Sequence, residues 1–328
     1  MFRALWMTSE GKIHTSQSVM DVAFALQDPT CLLWVDFEST PAEEDEPILR
    51  KTFNFHPLAI DDALQETHVP KVDDWGQYLY IVLHAIVINN HEEVDLDTLE
   101  LDVFMGKNYI VTHHDDPIEA VTRLWDTLQR DERHLKHGPD HLLYRLTDEL
   151  ISSYMPVVEM LDDQIDQAEI EIFDRPVPGT LEHIFSLKRS ILHMRRIIGP
   201  QREVLSKLAR DEYAVIDPQE RVYFRDVYDH LVRLYDITES IRDLISGTLD
   251  TYLSVINNRM NEVMKTLTII TTLFMPLSFV AGFFGMNFFL PEQPITSWMS
   301  RPVFWLVLAL MIILPLLMFR WIRQRGWM

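Results

Sequence analysis

The sequence predicts an α/β domain followed by helices, one of them very long, that continue into two membrane-crossing helices at the C-terminus. Three observations carry this. Two stretches, about Thr266–Phe284 and Pro302–Phe319, are free of charge and each has roughly the twenty apolar residues needed to cross a hydrocarbon core. No proline occurs between Pro218 and Pro276, and Gly247 is the only glycine before Gly282, so one uninterrupted helix is expected there. The first third instead carries short β-branched and aromatic runs of the kind that form strands.

In chain order, Cys31–Phe37, Tyr78–Leu83, Leu101–Phe104 and Tyr109–Thr112 read as strands, the last two joined as a hairpin by Gly106-Lys-Asn108. Ser18–Gln27 and Ala42–Glu66 read as helices, and everything from Pro117 onward as helical. Breaks are expected at Gly138-Pro139, Pro176–Gly179, Gly199-Pro200 and Pro218. The resulting organisation is 1–116, cytoplasmic α/β; 117–217, helical with an acidic hairpin; 218–286, stalk and pore helix with its membrane part at about 266–286. The loop 287–301, the second span 302–319 and a basic tail 320–328 complete the chain.

A helix over Gln219–Phe284 would be roughly 100 Å long and needs neighbours along its length, because propensity alone does not hold it. A ring of copies, each giving one helix to a central axis, would supply them. The residues by themselves imply more than one copy and no definite number.

Charge narrows the classes of partner. The chain has 328 residues and a formal charge of −21, which argues against nucleic acid and anionic lipid surfaces and favours counter-cations. Its single cysteine, Cys31, can form no disulfide within the chain, as suits a reducing compartment. Met1–Ser9 lacks the pattern of a signal peptide. Arg259 and Lys265 precede the first span; Arg320, Arg323 and Arg325 follow the second; the loop between has only Arg301 at its end. The positive-inside rule then places both termini in the cytoplasm of a multi-pass inner-membrane protein.

On the long helix one heptad column reads Asp229, Asp236, Asp243, Asp250, Asn257, Met264, Thr271, Ser278, Gly285, with Asn261, Leu267, Met275 and Gly282 beside it. Charge falls and side chains shrink toward the membrane exit. Apolar constrictions at Met264, Leu267 and Met275, alternating with the hydroxyls of Thr271 and Ser278, form a pattern that can gate by dewetting and conduct through weak sites.

The column ends at Gly285-Met286-Asn287, within Phe274-Met-Pro-Leu-Ser-Phe-Val-Ala-Gly-Phe-Phe-Gly-Met-Asn-Phe288. Together with Phe224-Arg-Asp-Val-Tyr-Asp-His230 and the second span, this closely resembles the CorA family of divalent-cation channels. The resemblance implies a funnel-shaped homopentamer, with magnesium as the transported ion and cobalt or nickel as further cargo. It also implies Gly285, Met286 and Asn287 as the selectivity site, with Asn287 as its key residue. Mg²⁺ gives up its water reluctantly, so neutral carbonyls that grip the hydration shell suit it better than carboxylates.

In relatives a regulatory magnesium bridges the long helix and the soluble domain. Asp250 matches the helix member. The partner is expected near Asn89-Asn90-His91, where Glu92 and Glu93 are the adjacent carboxylates. Glu292 is the only acid at the outer mouth. A zinc–proton symporter of the zinc-transporting branch and a non-conducting membrane scaffold are the rival readings. Nothing resembles an active site: no nucleophile motif, phosphate loop or zinc spacing is present. His113-His-Asp-Asp116 reads as a polar loop, with a metal-binding cluster as the alternative, and the acids from Asp162 to Asp174 face Lys188, Arg189, Arg195 and Arg196 as a helical hairpin held by mutual charge, with an acidic vestibule that concentrates divalent ions as the alternative.

Overall fold

The structure, a computed structural model, describes residues 1–65, 69–90, 95–131, 135–174, 177–285 and 301–325. Its backbone divides into two compact units, Met1–Asp250 and Thr251–Met328.

The first unit is organised by a seven-stranded sheet. Its strands are β1 (Phe2–Met7), β2 (Ile13–Ser16), β3 (Leu32–Glu38), β4 (Lys71–Asp74), β5 (Leu79–Asn90), β6 (Asp95–Met105) and β7 (Tyr109–His114). They lie in the order β2-β1-β3-β7-β6-β5-β4. Only β3 and β7 pair in parallel; the other neighbours are antiparallel. β3 is buried almost throughout, as befits a strand covered on both faces.

One face carries α1 (Val19–Leu26), α2 (Ala42–Lys51) and α3 (Pro57–Leu64) over a core that includes Val35, Phe37, Phe55, Ile60, Tyr80 and Phe104. Phe55 stacks on Phe104 with centroids 4.2 Å apart. The opposite face carries α4 (Glu119–Arg130), where Trp125 meets Trp34 edge-on at 4.9 Å, and then α5 (Pro139–Ser152), α6 (Tyr154–Asp174) and α7 (Pro178–Arg210). Gln201 of α7 is fully buried against the sheet: it accepts from the His84 backbone N–H at 3.0 Å and donates to the Tyr154 hydroxyl at 2.9 Å. α8 (Arg221–Gly285) is one helix of 65 residues, and α9 (Arg301–Gln324) follows the loop.

The antiparallel β6–β7 hairpin and the long helix match the sequence expectation. Five details differ. The helix expected over Ala42–Glu66 is two helices, because Asn54 adopts φ 56° and Pro57 opens α3. Gly199-Pro200 does not end α7; Pro200 is absorbed within it. β1, β2 and β4 are additional strands, short and near or at the sheet edges. His113 and His114 are not a polar loop but the buried end of β7. The α6–α7 hairpin is closed by apolar residues, Leu161, Ile165, Ala168 and Ile172 with Ile184, Leu187 and Ile191, rather than by charge. Of its basic residues, Arg195 pairs with Glu239 of α8.

Candidate ion pathway

α8 has two different surfaces. From Phe224 to Tyr252 its buried residues are Phe224, Val227, Leu231, Leu234, Thr238, Ile241, Ile245, Thr248 and Tyr252, a strict alternation of three and four. That is one apolar stripe with a period of 3.5, the signature of a helix packed along its length. Thr248 donates to Glu169 of α6 at 2.9 Å, and Arg202 and Arg210 of α7 lie over Tyr235 and Tyr228. Asp229, Asp236, Asp243 and Asp250 fall off this stripe and are exposed in the single chain. Asp250 therefore sits where another molecule can reach it.

Beyond Tyr252 no residue of α8 is buried. Asn261, Met264, Leu267, Thr271, Met275, Ser278, Gly282 and Gly285 are all exposed, with Leu267 at 56%. They line up by heptad spacing, but a straight helix drifts about 20° per heptad, so Asp229 and Gly285 share one face only if the helix supercoils. The Thr271 hydroxyl donates to the Leu267 carbonyl at 2.9 Å. Its proton is thus spent inside the helix and its oxygen lone pairs remain outward. Around Gly282 and Gly285 there is open space where a Cβ would stand, so another chain can approach the backbone closely. Met286, Asn287 and Glu292, and Glu92 and Glu93 of the expected regulatory site, lie outside the described residues.

Two helices are long and apolar enough to cross a membrane, with none of their most apolar stretches buried inside the chain. α9 runs to Gln324, past the Phe319 limit expected from charge, so Arg320 and Arg323 are helical.

Sequence reasoning missed the polar machinery inside the first unit. A pocket lies between β6, the end of β7 and the end of α3, lined by Glu100, Asp102, His113, His114 and Asp115 with Ala63 and Gln65. On one side Asp36, fully buried, accepts from Thr112 at 2.5 Å and pairs with Arg3 at 2.7 Å and His114 at 3.2 Å.

His114 Nδ1 faces the Asp116 carbonyl at 2.7 Å and Nε2 faces Asp36. Both neighbours can accept, a setting that favours the doubly protonated ring. Burial is the strongest influence and opposes that charge, but the hydrogen bond and charge of Asp36, with the Asp116 carbonyl and Glu38, together raise the His114 pKa. Burial likewise opposes the Asp36 carboxylate, and His114, Thr112 and Arg3 together hold its pKa low. Asp36, Glu38 and His114 lie close enough to hold a metal, yet Arg3 and the imidazolium already supply the balancing cations.

On the other side His113 lies 3.5 Å from Asp45 and 4.0 Å from Asp102, whose carboxyl also accepts from Tyr80 at 2.6 Å. Burial, reinforced by the Glu100 charge, pushes the Asp102 pKa well up, toward the neutral acid. The sequence signals for this network were the His113-His-Asp-Asp116 cluster and an aspartate inside the apolar run Leu32–Phe37.

A sequence model described as CorA-like Mg2+ transporter protein matches residues 31–324. The chain belongs to the CorA-like Mg2+ transporter family. It is 38% identical over 296 residues to a putative metal ion transporter of Bacillus subtilis, covering 90% of this chain and 89% of that one. It is 36% identical to the cobalt/magnesium transport protein CorA of Thermotoga maritima, covering 92% and 85%. Among solved structures, the complete CorA magnesium transporter of Methanocaldococcus jannaschii matches with a TM-score of 0.82 over 99% of this chain and 98% of that one. Its 23% identity makes that a likeness of fold. The CorA fold, an α/β domain, a long helix and a C-terminal apolar helix, is thus shared over the whole length.

Proposed function

We propose that five copies of this chain form a magnesium channel whose pore is lined by α8, with cobalt and nickel as further cargo. The observation that carries this is the change of surface along α8. Its buried stripe ends at Tyr252, and beyond it the helix presents an uncharged column that no described residue of the chain covers. Copies packed around an axis would cover that column and enclose it as a conduit. The relatives named for magnesium and cobalt transport support the choice of ion.

Gly285, Met286 and Asn287 form the selective mouth, presenting neutral oxygens to a hydrated ion, with Glu292 as a weak outer attractor. Met264, Leu267 and Met275 make apolar constrictions, and Asn261, Thr271, Ser278 and Gly282 the polar or narrow sections between them. The outward lone pairs of Thr271 suit the water shell of a cation. Both termini face the cytoplasm, so an inside-negative potential drives influx with about 2.3 kcal/mol per charge per 100 mV.

Magnesium also regulates. Five copies at −21 each approach a formal charge of −105, and bound Mg²⁺ relieves their repulsion in the closed state. Asp250, with Glu92 or Glu93 across the interface, is the ligand set.

The test is flux into liposomes for Mg²⁺, Co²⁺, Ni²⁺ and Zn²⁺, with and without a pH gradient. Mg²⁺ uptake that needs voltage but no proton gradient is expected. Zinc uptake that requires the proton gradient would favour the symporter instead, and no flux of any ion would favour the scaffold.

A further inference from the structure

The α7 face that the sequence assigned to the charged hairpin does something else. Arg189, His193 and Arg196 stand four and three residues apart, so they share one side of the helix. That side lines an open cavity of about 560 Å³ together with Asp95 and Leu96 at the start of β6. Among the described residues neither arginine forms an ion pair, whereas Arg195 on the neighbouring side reaches Glu239. The buried Nε2 of His193 has no hydrogen-bond partner. Two guanidiniums that form no ion pair among the described residues thus line one concavity in a chain with 50 acidic and 29 basic residues.

We propose that this cavity binds a nucleoside triphosphate as its magnesium complex. Charge sets the class of ligand: guanidiniums bind phosphate through paired N–H donors. Dimensions set its size. Arg189 and Arg196 are seven residues apart, about 10 Å along the axis, a span for a chain of phosphates rather than for one. The volume lies within the range of small-molecule pockets, about 300–1,000 Å³, far above that of inorganic phosphate. Leu96 and Leu192 offer apolar wall for a base.

The acid at the rim selects the complexed form. Asp95 and the overall charge repel a bare polyphosphate, but Mg²⁺ cancels part of the ligand's charge and its coordinated water can bond to Asp95. The site would thus read magnesium in its phosphate-bound form. This binding does not depend on how the transmembrane part conducts.

Isothermal titration of the full chain in detergent tests the proposal, with three probes: ATP at saturating Mg²⁺, ATP in EDTA, and inorganic phosphate with Mg²⁺. Mg·ATP should bind saturably, at one per protomer, with the other two at least tenfold weaker. Arg189→Gln with Arg196→Gln should weaken Mg·ATP at least tenfold and His193→Gln to a smaller degree, while Arg50→Gln, a distant surface arginine, leaves it unchanged. Both cavity arginines are exposed, so the double variant should keep the wild-type melting curve. No saturable Mg·ATP binding, full binding by the double variant, or phosphate binding as tight as Mg·ATP would each overturn the assignment. If the double variant instead loses oligomer and never bound nucleotide, the patch is a subunit contact and the proposal fails.

Discussion

Leu231 in Met1–Asp250 is fully buried, while Leu316 in Thr251–Met328 is 63% exposed. The same contrast holds along each unit. The first encloses a large apolar core in a sheet covered on both faces and even internalises ionisable side chains, as Asp36, Asp102, His113 and His114 show. The second buries only Ile322 among its described residues beyond Tyr252 and turns Leu306, Ile312, Leu316 and Phe279 outward. An apolar residue left outward is unfavourable in water by about 25 cal/mol per Å². The second unit therefore presents the surface of a protein seated in an apolar solvent. α8 belongs to both, and its surface changes character at Tyr252.

The largest expected effect lies at the mouth. Asn287→Ala should abolish Mg²⁺ uptake in liposomes while leaving assembly, read by size exclusion, unchanged. Uptake at the parent rate would remove Asn287 from selectivity.

Next comes one substitution made in both units. Leu231→Ala removes a fully buried side chain from the α8 stripe and should cost about 2–5 kcal/mol. Leu316→Ala removes an outward one and should cost within about 0.5 kcal/mol. Thermal melting of the two variants in the same detergent measures the difference, and equal losses would erase the distinction between the units.

Regulation should show a smaller change. Mg²⁺ is expected to protect the first unit from protease over a millimolar range, and Asp250→Asn should shift that protection to higher Mg²⁺. Superimposable curves would take Asp250 out of the mechanism.

The smallest effect concerns pH. Asp102 holds its proton in the folded state above its unfolded pKa of 3.8, and His114 does so above 6.5. At these two sites the folded chain binds more protons than the unfolded one, so their contribution to stability falls as pH rises through the two raised pKa values. The melting temperature should drop as pH rises above 6.5, and Asp102→Asn should flatten the part due to that carboxyl. A slope unaffected by the variant would show that Asp102 is ionised at the lower pH.

Much of this architecture was readable from residues. Absence of proline from 219 to 275 is a local property and predicted α8, and freedom from charge predicted the two spans. What escaped depended on tertiary context. Whether Pro200 ends a helix is decided by the packing of α7 on the sheet, where Gln201 is tied to His84 and Tyr154. The left-handed turn at Asn54 leaves no periodicity to detect. Four-residue strands such as β2 and β4 carry too few alternations to stand out. His113 and His114 looked like loop because polarity usually marks surface, and only the pairing of β7 with β3 and β6 reveals that they are enclosed. For the pathway, order and composition of the column were visible, but its register against the buried stripe was not.

That register is the central claim, and cysteine cross-linking tests it most directly. In a Cys31→Ser background, Thr271→Cys lies on the proposed pore column and Leu231→Cys on the stripe buried within one chain. With a short bifunctional maleimide in native membranes, the account predicts ladders of linked copies for Thr271→Cys and none for Leu231→Cys. A Thr271→Cys chain that stays monomeric, while a cysteine on the opposite side of α8 at Leu273 cross-links, would contradict it.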